Sequence, residues 1–221
     1  MKTFLRNKHH ISEPIWHVQA TMLVAIALQL SLPDRYYVFG SHYLLVAVEV
    51  LLLIAMSFTT PKEQIFKSLG RRINVFLLIV MTGLANSYAL IEVARRLLES
   101  GRIDNGRELI LTAVNIYLTN IIIFGLLYWE MDGGGPGLRL QIAKHEHDFL
   151  FPQDQNENYR HPKWQPTFID YLYVSSTNGM AFSPTDTLPL SRRAKLLMLT
   201  QAAISLVAVA LVAARAVNIL N

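Results

Sequence analysis

Residues 167–220 read TFIDYLYVSSTNGMAFSPTDTLPLSRRAKLLMLTQAAISLVAVALVAARAVNIL, and the contrast inside this stretch decides the fold class. Its second part, 194–220, is an almost unbroken apolar run. A hydrocarbon core about 30 Å thick needs roughly 20 helical residues, so this run is long enough to span a membrane. Its first part, Thr167 to about Phe182, is moderately apolar but too short and too polar to span. Thr167 three residues before Asp170 has the spacing of a helix N-terminal cap, and Pro184 and Pro189 break the chain afterwards. A short helix, a break and a full span form the outline of a re-entrant segment. Backbone at membrane depth that is not helical must be buried in protein or line water, because each unsatisfied amide in lipid costs several kcal/mol.

Four more apolar blocks lie upstream, over about 16–32, 36–58, 73–98 and 109–129. The first two are separated only by Pro33-Asp34-Arg35, which predicts a tight helical hairpin. The next two are joined by the polar turn ESGRIDNGRE. The stretch 132–166 is rich in Gly, Pro and charge and reads as an extramembrane loop, with GGGPG as a linker. The chain thus divides into a four-helix transmembrane unit (1–131), a loop (132–166) and a C-terminal unit (167–221). The expected fold is all-α, a polytopic membrane protein of about five transmembrane helices plus one short re-entrant helix.

Composition agrees. Of the 221 residues, 52% are hydrophobic and 16% charged, and the mean hydropathy is +0.30, outside the range of ordinary soluble domains. The absence of cysteine excludes disulfides, thiolate metal sites and cysteine nucleophiles. The start, MKTFLRNKHHISEPIWH, leads into a block that ends in Leu-Pro-Asp rather than at a small-residue cleavage site, so no removable signal peptide is expected. A net charge of +4 would suggest nucleic acid in a soluble domain. Here the basic residues flank apolar blocks, which assigns them to orientation and lipid headgroups and predicts no nucleic-acid partner.

Asp170, Tyr173 and Thr177 on the short helix, and Asp186, Pro189 and Arg192-Arg193-Ala194 after it, resemble the pore module of potassium-channel-like proteins. That resemblance implies an outer span, a pore helix, a filter and an inner helix, repeated around an axis in a homo-oligomer, with a tetramer favoured. The filter differs. The positions in register read Ala181, Phe182, Ser183, Pro184, Thr185, Asp186, without the glycines whose backbone freedom aims successive carbonyls at an ion. A carbonyl cage selective for potassium is not supported. A wider pore lined by Thr177, Asn178, Ser183, Thr185 and Asp186 remains, and a ring of Asp186 favours inorganic cations. The same stretch also resembles a family of bacterial membrane proteins carrying TN-x-x-AFSPTDT, then RAKLLM and ARAVNIL; this implies no mechanism. The competing reading of FSPTD is an interfacial turn.

Polar groups inside the spans come next, since they are costly in lipid and face a bundle interior or a cavity. Glu49 lies deep in the second block, where it either stays protonated against an amide, titrates in a proton path or faces a cation. Thr82 and Asn86, and Thr112, Asn115 and Thr119, fall on shared helical faces and could form one polar seam. Ala210 and Ala214 have the spacing that lets helices approach closely. In KHEHDF, residues 144–149, the metal-capable types lack a second ligand group at a diagnostic spacing, so a solvated loop is expected, with no metal and no cofactor. No nucleophile triad, zinc-protease motif or phosphate loop appears, so no enzyme activity is expected.

Lys2, Arg6, Lys8 and the basic residues at 62–72 place the N-terminus in the cytoplasm. Arg95, Arg96, Arg102 and Arg107 between the third and fourth blocks oppose that orientation. With four spans before it the 132–166 loop lies on the cytoplasmic side as well, so either the pore loop is inverted relative to a potassium channel, or the first block, short and ended by Pro33, does not span, or the pore resemblance does not hold. The functional expectation is an oligomeric pore-loop channel in the cell membrane, in contact with the lipid bilayer and conducting cations. The alternative is a non-conducting scaffold or sensor acting through its polar loops.

Overall fold

The computed structural model describes residues 16–37, 41, 43–58, 69–99, 106–136, 138–139, 147–155, 164–181 and 186–220, most of them helical. The elements are α1 (Trp16–Leu30), α2 (Tyr43–Phe58), α3 (Leu69–Glu99), α4 (Gly106–Met131), β1 (Phe149–Leu150), α5 (Pro152–Gln155), α6 (Phe168–Ala181), β2 (Leu188–Pro189) and α7 (Arg192–Leu220). Among the described residues, three helices carry stretches long and apolar enough to cross a membrane: Arg72–Leu97, Arg107–Gly134 and Arg192–Ala214. α1 and α2 are apolar but shorter, at 15 and 16 residues, or about 22 and 24 Å of helix. Among the described residues, then, three helices are long and apolar enough to span and two apolar ones are shorter.

The connection between the first two apolar helices is longer than the three residues expected of a tight hairpin. Tyr36 and Tyr37 look apolar enough to begin the second block, but they lie buried in the connection, where Pro33 leads into a 3-10 turn at Asp34–Tyr36. α2 starts only at Tyr43. α1 packs on α4 more than on α2. The end of α1 is joined to α4 by Asn115 Nδ2 donating to Ser31 Oγ at 2.6 Å, and beyond it Arg35 pairs with Glu108.

α4 is the axis of the fold. Its second half, Thr119 to Glu130, is buried on nearly every side, as expected of a helix apolar all round. α3 runs antiparallel to it: Arg72 Nε lies 3.3 Å from Glu130 Oε1 at one end, and Asn86 donates to the Ile116 carbonyl at 3.1 Å further along. α7 is also antiparallel, burying Ala194, Met198, Gln201, Ser205 and Ala208, a stripe at helical spacing. Its other faces are bare: only 22% of its most apolar stretch is buried within the chain. Leu199 and Leu206 are exposed on α7, and Leu23, Leu51, Phe76, Leu84 and Leu118 are exposed on the other apolar helices. Apolar surface this extensive belongs against lipid or further protein, not water. Ala210 and Ala214 are exposed as well, so among the described residues nothing packs against their close-packing face.

Candidate functional site

α6 is the element that sets this chain apart from a plain bundle. Its N-terminus is capped as the sequence predicts: the Thr167 backbone N–H and hydroxyl both donate to Asp170 Oδ2, at 2.7 and 2.8 Å. Phe168 meets Trp129 edge-on with ring centroids 6.2 Å apart. From there α6 descends along α4. A Cβ on Gly125 would sit 3.2 Å from the Leu172 Cα, so glycine is what lets the two backbones approach this closely. Ser175 Oγ donates to the Ile121 carbonyl at 2.7 Å, and a Cβ on Gly179 would meet Ser205 Oγ at 3.3 Å and Ile121 at 3.4 Å. α6 therefore ends beside Ile121, near the middle of the Arg107–Gly134 stretch. By β2 the chain is back at the level where it began: Phe149 pairs with Pro189 and Leu150 with Leu188, and the Leu190 N–H donates to the Asp148 carbonyl at 2.8 Å.

A buried amide network holds the inner end of α6. Gln201 Oε1 accepts from the Tyr128 hydroxyl at 2.7 Å and from Asn178 Nδ2 at 2.9 Å. Gln201 Nε2 donates to the Ser175 carbonyl at 2.8 Å and to its hydroxyl at 2.7 Å. Asn178 Nδ2 also reaches the Met198 carbonyl at 2.9 Å. One layer deeper, Asn120 Nδ2 donates to Ser205 Oγ at 3.0 Å. Polar groups at such depth are tolerated because they satisfy one another. The result is a fixed wedge of α6 between α4 and α7.

A second lock holds the outer end. Asp132 is fully buried just past α4. Its Oδ1 accepts the backbone N–H groups of Asp148 at 2.6 Å and Phe149 at 3.2 Å, and its Oδ2 accepts the Tyr171 hydroxyl. Arg139 Nε lies 3.6 Å from Oδ2, while the guanidinium donates to the Pro166 carbonyl at 3.3 Å and to the Trp129 carbonyl. Its charge rests 4.6 Å above the Tyr171 ring. His147 Nδ1 lies 3.7 Å from Asp132 Oδ2. Burial, opposed by the Arg139 charge, pushes the Tyr171 hydroxyl well above its ordinary range, so it stays a donor. The glycines after Asp132 make this turn: Gly133, Gly134 and Gly135 have φ of 59°, 79° and 92°, and a Cβ on Gly135 would fall 2.9 Å from the Glu130 carbonyl.

Two sequence expectations are thereby corrected. The GGGPG run opens a packed turn instead of a slack linker, and the end of KHEHDF is no solvated loop, since Asp148 and Phe149 are buried. Residues 141–146 lie outside the described set. Among the described residues, no group of three His, Asp or Glu converges as a metal site.

Of the pore candidates, Phe182, Ser183, Pro184 and Thr185 lie outside the described residues. Asn178, expected to face water, is buried with its amide engaged by α7. The Thr177 hydroxyl returns to the Tyr173 and Val174 carbonyls at 3.0 Å. Ala181 is exposed at the inner tip, and Asp186 is exposed on the return limb, where Gln155 Nε2 reaches its carbonyl at 3.5 Å.

The polar residues of the other helices form separate contacts rather than one seam. Glu49 is fully buried on α2 and accepts from Thr82 Oγ1 at 2.7 Å. With the Gln29 amide oriented to donate, its nitrogen lies 2.8 Å from Glu49 Oε2. Asn86 turns to α4 and Asn115 to α1, while Thr112 and Thr119 are buried on α4. Gln201 and Ser205 share one face of the last apolar block in the sequence, whereas sequence reasoning missed Asp132, Arg139 and Tyr128 as organising residues. Comparison with family models, with curated proteins and with solved structures finds no match.

Proposed function

We propose that this chain is one subunit of a homo-oligomeric pore-loop channel in the cell membrane, with a tetramer favoured, and that it conducts inorganic cations. The observation that carries the reading is the path of α6. It enters beside the end of α4, stops near the middle of that helix at Ile121, and the chain is back beside β1 by Leu188. In this reading α1 and α2 cross the membrane with α3, α4 and α7 to make five spans, α6 is re-entrant, α4 is the outer helix and α7 the inner one.

A helix that ends at mid-membrane directs its free carbonyls, with their partial negative charge, at that depth, which favours a cation. Residues 182–185 with Ala181 and Asp186 then form the path, while Asn178 braces the helix behind it. Without filter glycines the path is lined by side chains and is not a typical potassium-selective filter. Symmetry is required because one loop cannot enclose a pore. The bare faces of α6 (Ile169, Tyr173, Met180) and of α7 (Val207, Ala210, Ala214) supply surface for the neighbouring copies. The test is cation flux from proteoliposomes alongside the mass of the assembly in nanodiscs. Flux from a multimer is expected; a strictly monomeric protein that carries no ion would leave the scaffold or sensor reading ahead.

A further inference from the structure

α3 and α7 both pack on α4 and leave a groove of about 940 Å³ between them. Its walls are apolar over most of their length, with Phe76 and Val80 on α3, Leu127 on the α4 floor, and Leu196 and Leu197 on α7. Its mouth lies at the Asp132 end of the bundle and carries Arg72 and Arg193. We propose that this groove is a binding site for one anionic phospholipid, whose phosphate sits between Arg72 and Arg193 and one of whose acyl chains lies along the α3–α7 wall. The inference does not depend on whether the protein conducts.

Charge and length both select that occupant. Arg72 contacts Glu130 through Nε at 3.3 Å, and Arg193 contacts Asp148 through one terminal nitrogen at 3.3 Å. Each guanidinium has five N–H donors in a planar fork, so each has further donors to offer a phosphate. Arg192 and Lys195 are exposed on the same turn as Arg193, which leaves the mouth with an excess of positive charge. The groove runs from Arg72 down to Asn86, about 21 Å of helix, so an extended acyl chain fits along it. A helix from a second copy would match the apolar walls but would have no use for two arginines at the rim.

Native mass spectrometry of the delipidated protein, titrated with phosphatidylglycerol and with phosphatidylcholine, tests this. One phosphatidylglycerol per chain should be retained under conditions that strip phosphatidylcholine. Replacing both Arg72→Gln and Arg193→Gln should weaken phosphatidylglycerol roughly thirtyfold, from the attraction of two basic residues for an anionic headgroup. Val80→Trp, which fills the groove and leaves the arginines in place, should abolish retention of the lipid without changing the mass of the assembly. Equal binding of the two lipids by the parent would overturn the proposal. So would undiminished phosphatidylglycerol in Val80→Trp, or a change of oligomeric mass in that variant, which would give the groove to a second copy.

Discussion

The Tyr171 hydroxyl donates to Asp132 across 39 positions of sequence and so ties the first turn of α6 to the end of α4. The same carboxylate holds the strand that starts at Phe149, and Arg139 balances its charge. One buried acid thus coordinates the start of the short helix, the turn after α4 and the strand that receives the returning chain.

Removing that acid should be severe. Asp132→Ala leaves Arg139 buried without its counter-charge, which costs about 3–5 kcal/mol. Tyr171→Phe removes one hydrogen bond to a buried carboxylate that keeps Arg139 and His147 beside it, at about 1–3 kcal/mol. Thermal unfolding in mild detergent should show these effects, and the double variant should be less destabilised than the two losses added together, because both act on one network.

The close approach of α4 and α6 makes Gly125 sensitive. Gly125→Leu forces side-chain atoms into the Leu172 backbone and should destabilise by about 1–3 kcal/mol. Proteolysis or labelling at Ala181 should rise with it, because the whole of α6 is levered off the bundle. Gly83→Ala has ordinary space, with Ile123 at 3.6 Å, and should behave as the parent, which makes it the control.

Glu49 should tolerate loss of charge but not loss of hydrogen bonding. Glu49→Gln keeps an acceptor for Thr82 and should change stability by less than about 1 kcal/mol, whereas Glu49→Leu strands the Thr82 and Gln29 donors at about 1–3 kcal/mol. Glu49→Lys places a cation where no acid faces it among the described residues and should fail to accumulate in the membrane. Expression and thermal stability measured side by side check the ranking.

Local features of this fold were legible in the sequence, and long-range ones were not. The Thr167–Asp170 cap, the breaks around α6 and the extents of α3, α4 and α7 follow from neighbouring residues and from hydrophobic length. The pairing of Asn178 with Gln201 and of Asp132 with Arg139 depends on which helix lies beside which, and apolar helices resemble one another too closely for sequence to fix their neighbours. At GGGPG composition reads as a linker, whereas positive φ at Gly133, Gly134 and Gly135 makes a turn directly after the buried Asp132. At Tyr36 and Tyr37 composition erred the other way, because aromatic residues that bury themselves in a connection look like the start of a span.

The natural absence of cysteine allows topology to be read with single introduced thiols. His147→Cys and Asn221→Cys should label from opposite sides of the membrane, since α7 starts at the Asp132 end and runs antiparallel to α4. Labelling from the same side would remove the fifth crossing and with it the re-entrant placement of α6.

The reversal potential of the purified protein in planar bilayers under asymmetric salt reports both whether the protein conducts and which ions it prefers. A conducting pore whose return limb carries Asp186 should give cation-preferring currents in the parent, a reduced preference in Asp186→Asn and a reversed or abolished one in Asp186→Lys, with the fold intact because Asp186 is exposed. No current in the parent under any ionic condition, or currents identical in all three proteins, would contradict the account.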